Sequence, residues 1–431
     1  MQSACGKEKT RLLWRRLLPF SLALSIALPI AATGCLFAPA CAGPAETLAS
    51  IIPGAKPAAI PAESDSALGF APQGWTVFAS AEGDFNRDGR SDAAMIICKE
   101  GDTPGSFGDG AKDMPRAVVV ATAQPNGKYK LAGIGYGPVM SGATQVNFAQ
   151  TVVEISLVKG RLIIKNGNSA SFIQAHELTF SWQHGQMELT NVSLNHCTLR
   201  EPTPHSSDEE RDLNTGAVSR VVSDNDGKVI SASYFYALRA PLVKTMPVLD
   251  GDATIGEWPS QIVHLNKRAN IVRGAGAVPR TAGLSVDLQA VRSAEDLYIC
   301  ASTRGNLPAD PDGKVRYSLR LMGVDGKMFM PQQSKTTIKN GIATVEGKFK
   351  LSQIPKNMID ENDYAPVRLN LATQLVVDLR AANDPALKNP AVIKQIVFST
   401  GNGQKHLGEI SLVARAHQPT LEDWTWEHPD D

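Results

Sequence analysis

The sequence predicts an all-β protein, two antiparallel β domains behind a signal peptide and a Pro/Ala-rich tether. Three observations carry that expectation. Gly (36) and Pro (27) are plentiful while aromatics make up only 6% of the 431 residues, which suits many short strands joined by turns. Apolar runs are short and can alternate strictly: in Glu177-Leu178-Thr179-Phe180-Ser181-Trp182, Leu178, Phe180 and Trp182 share one face. Lys159-Gly160 and His184-Gly185 read as two-residue hairpin connections that need positive φ. The length points to two or three domains. With 43 basic against 43 acidic side chains, there is no electrostatic case for nucleic acid or an acidic membrane surface.

The N-terminus sets the compartment. Residues 1–42 open with the basic set Lys7, Lys9, Arg11, Arg15 and Arg16, then run apolar from Leu17 to Ala32. Pro19 and Pro29 interrupt that run, which is short for a spanning helix, so export is expected. Two processing routes stay open. Ala31-Ala32-Thr33-Gly34-Cys35 resembles a bacterial lipobox, which would place a lipid anchor on Cys35, whereas Ala40-Cys41-Ala42 fits a signal-peptidase site. The destination is then a membrane-anchored lipoprotein, the periplasm or the exterior. Residues 43–66 carry Pro44, Pro53, Pro57 and Pro61 among Ala and Ser and read as an extended tether. Export permits disulfides. Cys98 and Cys197 could pair, while Cys300 reads as a buried free thiol in an apolar strand.

Residues 67–240 form the first domain, with strands expected over Ala117–Val120, Lys128–Ile134, Val152–Val158, Arg161–Lys165, Glu177–Trp182, Met187–Val192 and Ala217–Val222. Residues 99–115 and Pro202–Arg211 read as polar loops, and Asp224-Asn225-Asp226-Gly227 as a hairpin turn. The stretch with the most chemistry is Asp84-Phe85-Asn86-Arg87-Asp88-Gly89-Arg90-Ser91-Asp92, lying between the apolar runs Trp75–Ala81 and Ala93–Cys98. Asp84, Asn86, Asp88 and Asp92 supply oxygens at positions 1, 3, 5 and 9, and Arg90 offers a backbone carbonyl. Gly89 stands where the chain bends sharply, expected at positive φ. The twelfth position is Met95, so the bidentate Glu of a helix-loop-helix calcium site is missing. A strand-loop-strand Ca²⁺ site and a plain Asp/Asn/Gly hairpin turn are the two readings.

This loop with the following Ala93-Ala94-Met95-Ile96-Ile97 resembles an FG-GAP/VCBS-type repeat. The resemblance implies Ca²⁺ held by Asp84, Asn86, Asp88, Arg90 (backbone) and Asp92 between two strands of an extracellular β structure. One copy is present, so a multi-bladed propeller is not expected.

Residues 247–414 form the second domain, an antiparallel sandwich marked by alternation and by turns such as Asp312-Gly313 and Asp325-Gly326. Val248-Leu249-Asp250-Gly251-Asp252 with Glu257-Trp258-Pro259, then Leu284–Ala290 and Asp296–Ala301, is similar to family-nine carbohydrate-binding-module-like (DOMON-like) domains. The family's paired acidic residues are replaced by Ser302-Thr303-Arg304-Gly305. Trp258 reads as a core plug. Residues 415–431 form an acidic tail with Trp424 and Trp426, expected to dock on the body.

No nucleophile elbow, phosphate loop or zinc motif occurs, and no catalytic residue is assigned. Asp287 and Asp378 lie inside apolar strands and are expected on a solvent face. The expected function is exported and non-catalytic: a structural Ca²⁺ loop, with glycans or cell-envelope proteins bound through the second sandwich. The alternative is a glycan-active hydrolase or accessory module with carboxylates in an interdomain cleft.

Overall fold

The computed structural model describes residues 60–101, 116–139, 151–169, 172–198, 205–224, 226–253, 257–266, 271–273, 285–304, 314–360, 367–379, 395–401 and 408–423. The expected leader, most of the tether, most of the loop 99–115 and the Trp-bearing end of the tail lie outside them. The described residues are all-β, with no α-helix among them.

Five strands form the first sheet: Glu63–Ser64 (β1), Trp75–Gly83 (β2), Asp92–Lys99 (β3), Arg116–Ala123 (β4) and Tyr129–Gly135 (β5), ordered β1-β5-β4-β3-β2 and antiparallel throughout. Strands β3 and β4 are apolar along nearly their whole length because the sheet is covered on both faces. Ala94, Ile96, Val118 and Val120 join one core with Leu178, Phe180 and Leu189. Ala93, Met95, Ile97 and Val119 face Phe70 and the chain around Ile60 and Ala67. Glu63 and Ser64, which fall within the expected tether, pair with Lys130 and Tyr129 at the sheet's edge. Cys98 is a buried free thiol beside Thr76, so no disulfide to Cys197 forms; Cys300 is also free and buried.

The chain continues as a meander: Thr151–Val158 (β6), Arg161–Ser169 (β7), Phe172–Gln183 (β8), Gln186–Thr198 (β9), His205–Asp212 (β10), Ala217–Asp224 (β11) and Val229–Pro241 (β12). The connections Lys159-Gly160 (φ 52° and 74°) and His184-Gly185 (φ 51° and 84°) take the positive φ their sequences demand. The 224–227 turn closes a hairpin, with Gly227 N–H donating to the Asp224 carbonyl. The polar run 202–211 departs from expectation. It reads as a loop, yet β10 lies mid-sheet between β9 and β11. Its sequence has no apolar period, and side-chain pairing makes the strand tenable: Asp208 with Asn195, Glu209 with Arg220, Arg211 with Glu409.

The second lobe contains Val263–Leu265 (β13), Ile271–Arg273 (β14), Ser285–Arg292 (β15), Asp296–Arg304 (β16), Arg316–Gly323 (β17), Met328–Phe329 (β18), Gln333–Lys339 (β19) and Ile342–Lys350 (β20). Ile359–Asp360 (β21), Val367–Leu369 (β22), Leu371–Asp378 (β23), Gln395–Ser399 (β24) and Glu409–Val413 (β25) complete it. Two five-stranded sheets, β13-β15-β16-β20-β19 and β14-β24-β23-β17-β18, enclose a core of Leu288, Ile299, Leu319, Val345, Leu375 and Phe398. Trp258 plugs a smaller cluster with Val291, Tyr298 and Cys300, and burial pushes the Cys300 thiol up to about 12.

One sheet runs through both lobes. The amino-terminal part of β12 pairs with β11, and its last five residues pair in parallel with β25, giving the order β21-β22-β25-β12-β11-β10-β9-β8-β7-β6. Across this seam Arg211 donates two hydrogen bonds to Glu409, Nη1 to Oε1 at 2.7 Å and Nη2 to Oε2 at 2.9 Å. Both side chains are buried. Burial alone would push the Glu409 carboxyl up. The Arg211 charge and hydrogen bonds, with Arg368 and Ser411, instead hold it down to about 2. Beyond β25 the chain returns to the first lobe, where Leu189 N–H donates to Pro419 O and Leu421 N–H to Met187 O. Leu421 enters the first lobe's core. A Cβ at Gly135 would lie 2.2 Å from the Leu421 carbonyl, so this strap requires glycine there.

Glu409→Gln removes the acceptor charge and leaves the Arg211 cation buried. It is expected to cost about 3–5 kcal/mol, read as a lower urea midpoint. In the wild type the folded-state pKa of Glu409 is depressed. Its contribution is therefore complete above the ordinary value of 4.5 and is lost as pH falls through about 2. The same stability in the variant, or none of its loss at acid pH in the wild type, would contradict the clamp.

Candidate ligand cleft and the loop beside it

The loop between β2 and β3 is tied by its own side chains. Asp84 accepts the N–H groups of Asp88 (3.1 Å) and Gly89 (2.9 Å), and Asn86 Oδ1 accepts Asp88 N–H (3.0 Å). Asp88 Oδ1 accepts Arg90 N–H at 3.0 Å, while its Oδ2 takes Asn86 Nδ2 and the Arg90 guanidinium. Gly89 sits at φ 85° as expected, and Arg87 at 65°, a left-handed turn rarely taken by a residue with a side chain.

Asp92 behaves differently. It is fully buried, and its carboxylate accepts N–H from Phe85 (3.1 Å), Asn86 (3.3 Å) and, across the sheet, Ala123 (2.9 Å). Burial pushes its carboxyl up, and these donors pull it partly back. Arg90 Nε donates to Ala123 O at 2.8 Å, so Arg90 and Asp92 together fasten the loop to β4.

Of the five residues read as metal ligands, Asp84, Asn86 and Asp88 share hydrogen bonds within one turn, and Asp92 is turned toward β4. The first three are oxygen donors of the kind a hard cation takes. Among the described residues no three His, Cys, Asp or Glu side chains converge to hold a metal ion.

Behind the loop lies a cleft of about 470 Å³, within the range of small-molecule sites. Asn86 and Arg87 form the loop side; Gly160 and Arg161 come from the β6–β7 connection, which packs on the loop backbone. Ser181, Trp182 and Gln183 come from the end of β8. A bulge shapes the next wall: Thr179 pairs with Asn191 and Phe180 with Leu189, leaving Thr190 as the extra residue. Thr190 Oγ1 donates to Thr179 O, and Leu213 N–H donates to Thr190 O. Bulges of this kind re-aim neighbouring side chains, and here Thr190 and Asn191 line the cleft. Asp212, the last residue of β10, and Asn214, in the turn that follows, close it. The Asp212 carboxylate accepts the N–H groups of Asn214 and Thr215 and so caps its own turn.

Trp182 is the aromatic element. Its ring lies 5.3 Å from that of Phe85, tilted by 45°, half in the core and half on the cleft. The sequence marks Trp182 as an inward aromatic. The rest of the cleft was missed, because it gathers polar residues from five separate places whose only shared sign is a turn or strand end.

In the second lobe Trp258, Tyr298, Tyr317, Phe349 and Phe398 are all buried in its clusters, so they offer no stacking face. Asp287 and Asp378 stand on β15 and β23, strands of different sheets. Asp287 is buried by its partners rather than solvent-facing: it pairs with His264 at 2.6 Å and Arg304 at 2.5 Å. Asp378 accepts from Gln395 Nε2.

No known protein family matches the chain, and no curated protein does. Among solved structures, a carbohydrate binding module of family 9 from Caldicellulosiruptor kristjanssonii in complex with glucose is 13% identical. The match covers 42% of this chain and 98% of that one, with a TM-score of 0.26. The same organism's module in complex with cellotriose is 12% identical over 42% and 94%, with a TM-score of 0.25.

Asp92→Ala strands the N–H groups of Phe85 and Ala123 inside the sheet and is expected to cost on the order of 1–3 kcal/mol. Without divalent ions, Asp88→Ala disturbs exposed contacts and is expected to cost about 1 kcal/mol or less. Thermal melts in chelator compare the two. An Asp88→Ala loss equal to that of Asp92→Ala would contradict this division of roles.

Proposed function

We propose that the chain is a non-catalytic binding protein that holds a polyhydroxylated, glycan-type ligand in the cleft of the first lobe. The observation carrying this reading is Trp182 beside a ring of amide and hydroxyl side chains, Asn86, Gln183, Asn191, Asn214 and Ser181. An aromatic surface takes the apolar face of a sugar, while amides donate to and accept from its hydroxyls. Glycoside hydrolysis needs two flanking carboxyl groups. The cleft contributes Asp212, which already caps a turn.

Calcium at the neighbouring loop is part of the same proposal. Asp84, Asn86 and Asp88 would hold the ion, with Asp88 exchanging the Arg90 guanidinium for it, and Asn86 and Arg87 would thereby be fixed at the cleft's edge. Export, by lipidation at Cys35 or cleavage after Ala42, is supported by the basic and then apolar N-terminus. It would place the cleft before cell-envelope or environmental glycans; release of Cys35→Ser from membranes distinguishes the first route from the second.

A panel of envelope and plant-wall oligosaccharides, assayed for both retention and turnover, tests the main reading. Retention without turnover is expected, with affinity lost by about tenfold or more in Trp182→Ala. Turnover, or binding indifferent to Trp182, would contradict it. Millimolar Ca²⁺ is expected to raise the melting temperature of the wild type and not of Asp88→Ala; identical melts with and without the ion would remove calcium from the proposal.

A further inference from the structure

The charge in the cleft is lopsided. Arg87 and Arg161 both line it, against the one carboxylate of Asp212. Other arginines have acid partners: Arg90 pairs with Asp88, Arg211 with Glu409 and Glu209, Arg220 with Glu209, Arg304 with Asp287 and Arg415 with Asp423. Among the described residues neither Arg87 nor Arg161 has a carboxylate within ion-pair distance, although Asp84 and Asp88 stand in the same loop as Arg87. Those two acids are occupied, Asp84 by backbone N–H groups and Asp88 by Arg90.

The placement of the two cations is built into the backbone. Arg87 takes a left-handed conformation, and its Nε lies 3.9 Å from where a Cβ on Gly160 would stand. Arg161 opens β7 directly after that glycine. The bare Gly160 lets the loop and the hairpin turn approach, which brings Arg87 and Arg161 together at the cleft. An arginine fork matches a planar acid group with two parallel hydrogen bonds.

Building on the glycan reading, we infer that the ligand is an acidic saccharide, its carboxylate or sulfate group gripped by Arg87 and Arg161 while a sugar ring rests on Trp182. The acid group would neutralise two cations that have no carboxylate partner among the described residues, and the amides of Asn191 and Asn214 would sort hydroxyl positions.

Calorimetric titration of the full chain with trigalacturonate, its fully methyl-esterified form and a sulfated trisaccharide beside its neutral parent tests this. An acid form is expected to bind about tenfold more tightly than its neutral counterpart, since one charge-assisted hydrogen bond supplies that much. Arg161→Gln and Arg87→Gln alter exposed side chains and should keep the wild-type melt. Each is expected to lose about tenfold for the acid form alone, and the preference should shrink with added salt. Equal affinity for acid and neutral forms, or full acid affinity in both variants, overturns the inference while the glycan reading stands. Binding of none of the four sugars overturns both.

Discussion

The guanidinium of Arg211, clamped on the carboxylate of Glu409, is the contact on which the arrangement of the molecule depends. It joins β10 of the first lobe to β25 of the second, 198 residues apart in sequence. A buried ion pair of this kind adds little net stability over an apolar pair, yet a misplaced partner leaves a bare charge inside. The pair therefore fixes register. Arg211 directly precedes the turn containing Asp212 and Asn214, so the register it fixes is that of a cleft wall. The strap reinforces the same place, with Gln418 bridging Arg239 and the Leu213 carbonyl. The second lobe thus braces one wall of the cleft in the first.

Much of the fold could be read from the residues. Alternation and paired turn residues gave the all-β class and the Lys159-Gly160 and His184-Gly185 hairpins, because each is local: a period of two, or a φ that glycine permits. Residues 205–212 were opaque for the converse reason. His-Ser-Ser-Asp-Glu-Glu-Arg-Asp looks solvated, and only Asn195, Arg220 and Glu409, all distant in the chain, turn it into a central strand. Asp287 misled in a smaller way, since its cover comes from His264 and Arg304 on neighbouring strands.

The candidate site divides along the same line. The Asp84 to Asp92 stretch announces itself by spacing, and Gly89 adopts the conformation that spacing requires. What spacing did not convey is that Asp92 bonds to three backbone N–H groups, one of them on β4, and so anchors the loop. The cleft was invisible to motif reading because its wall depends on a bulge at Thr190, a glycine that admits a neighbouring loop, and a turn braced from the other lobe. Each is a tertiary fact. Trp258, Tyr298, Tyr317, Phe349 and Phe398 of the second sandwich, by contrast, are buried in its own clusters, and the stacking face we propose for a glycan is that of Trp182 on the first lobe.

The central claim is that ligand enters beside Trp182 on the first lobe. Amide and indole correlation spectra of the full chain, recorded through a titration with an acidic trisaccharide, test it most directly. The account predicts that the Trp182 indole N–H and the side-chain amides of Asn86, Gln183, Asn191 and Asn214 shift together and saturate at one affinity, with the β15–β16 face silent. Shifts confined to the second lobe, with the Trp182 signal unmoved at saturation, would contradict it.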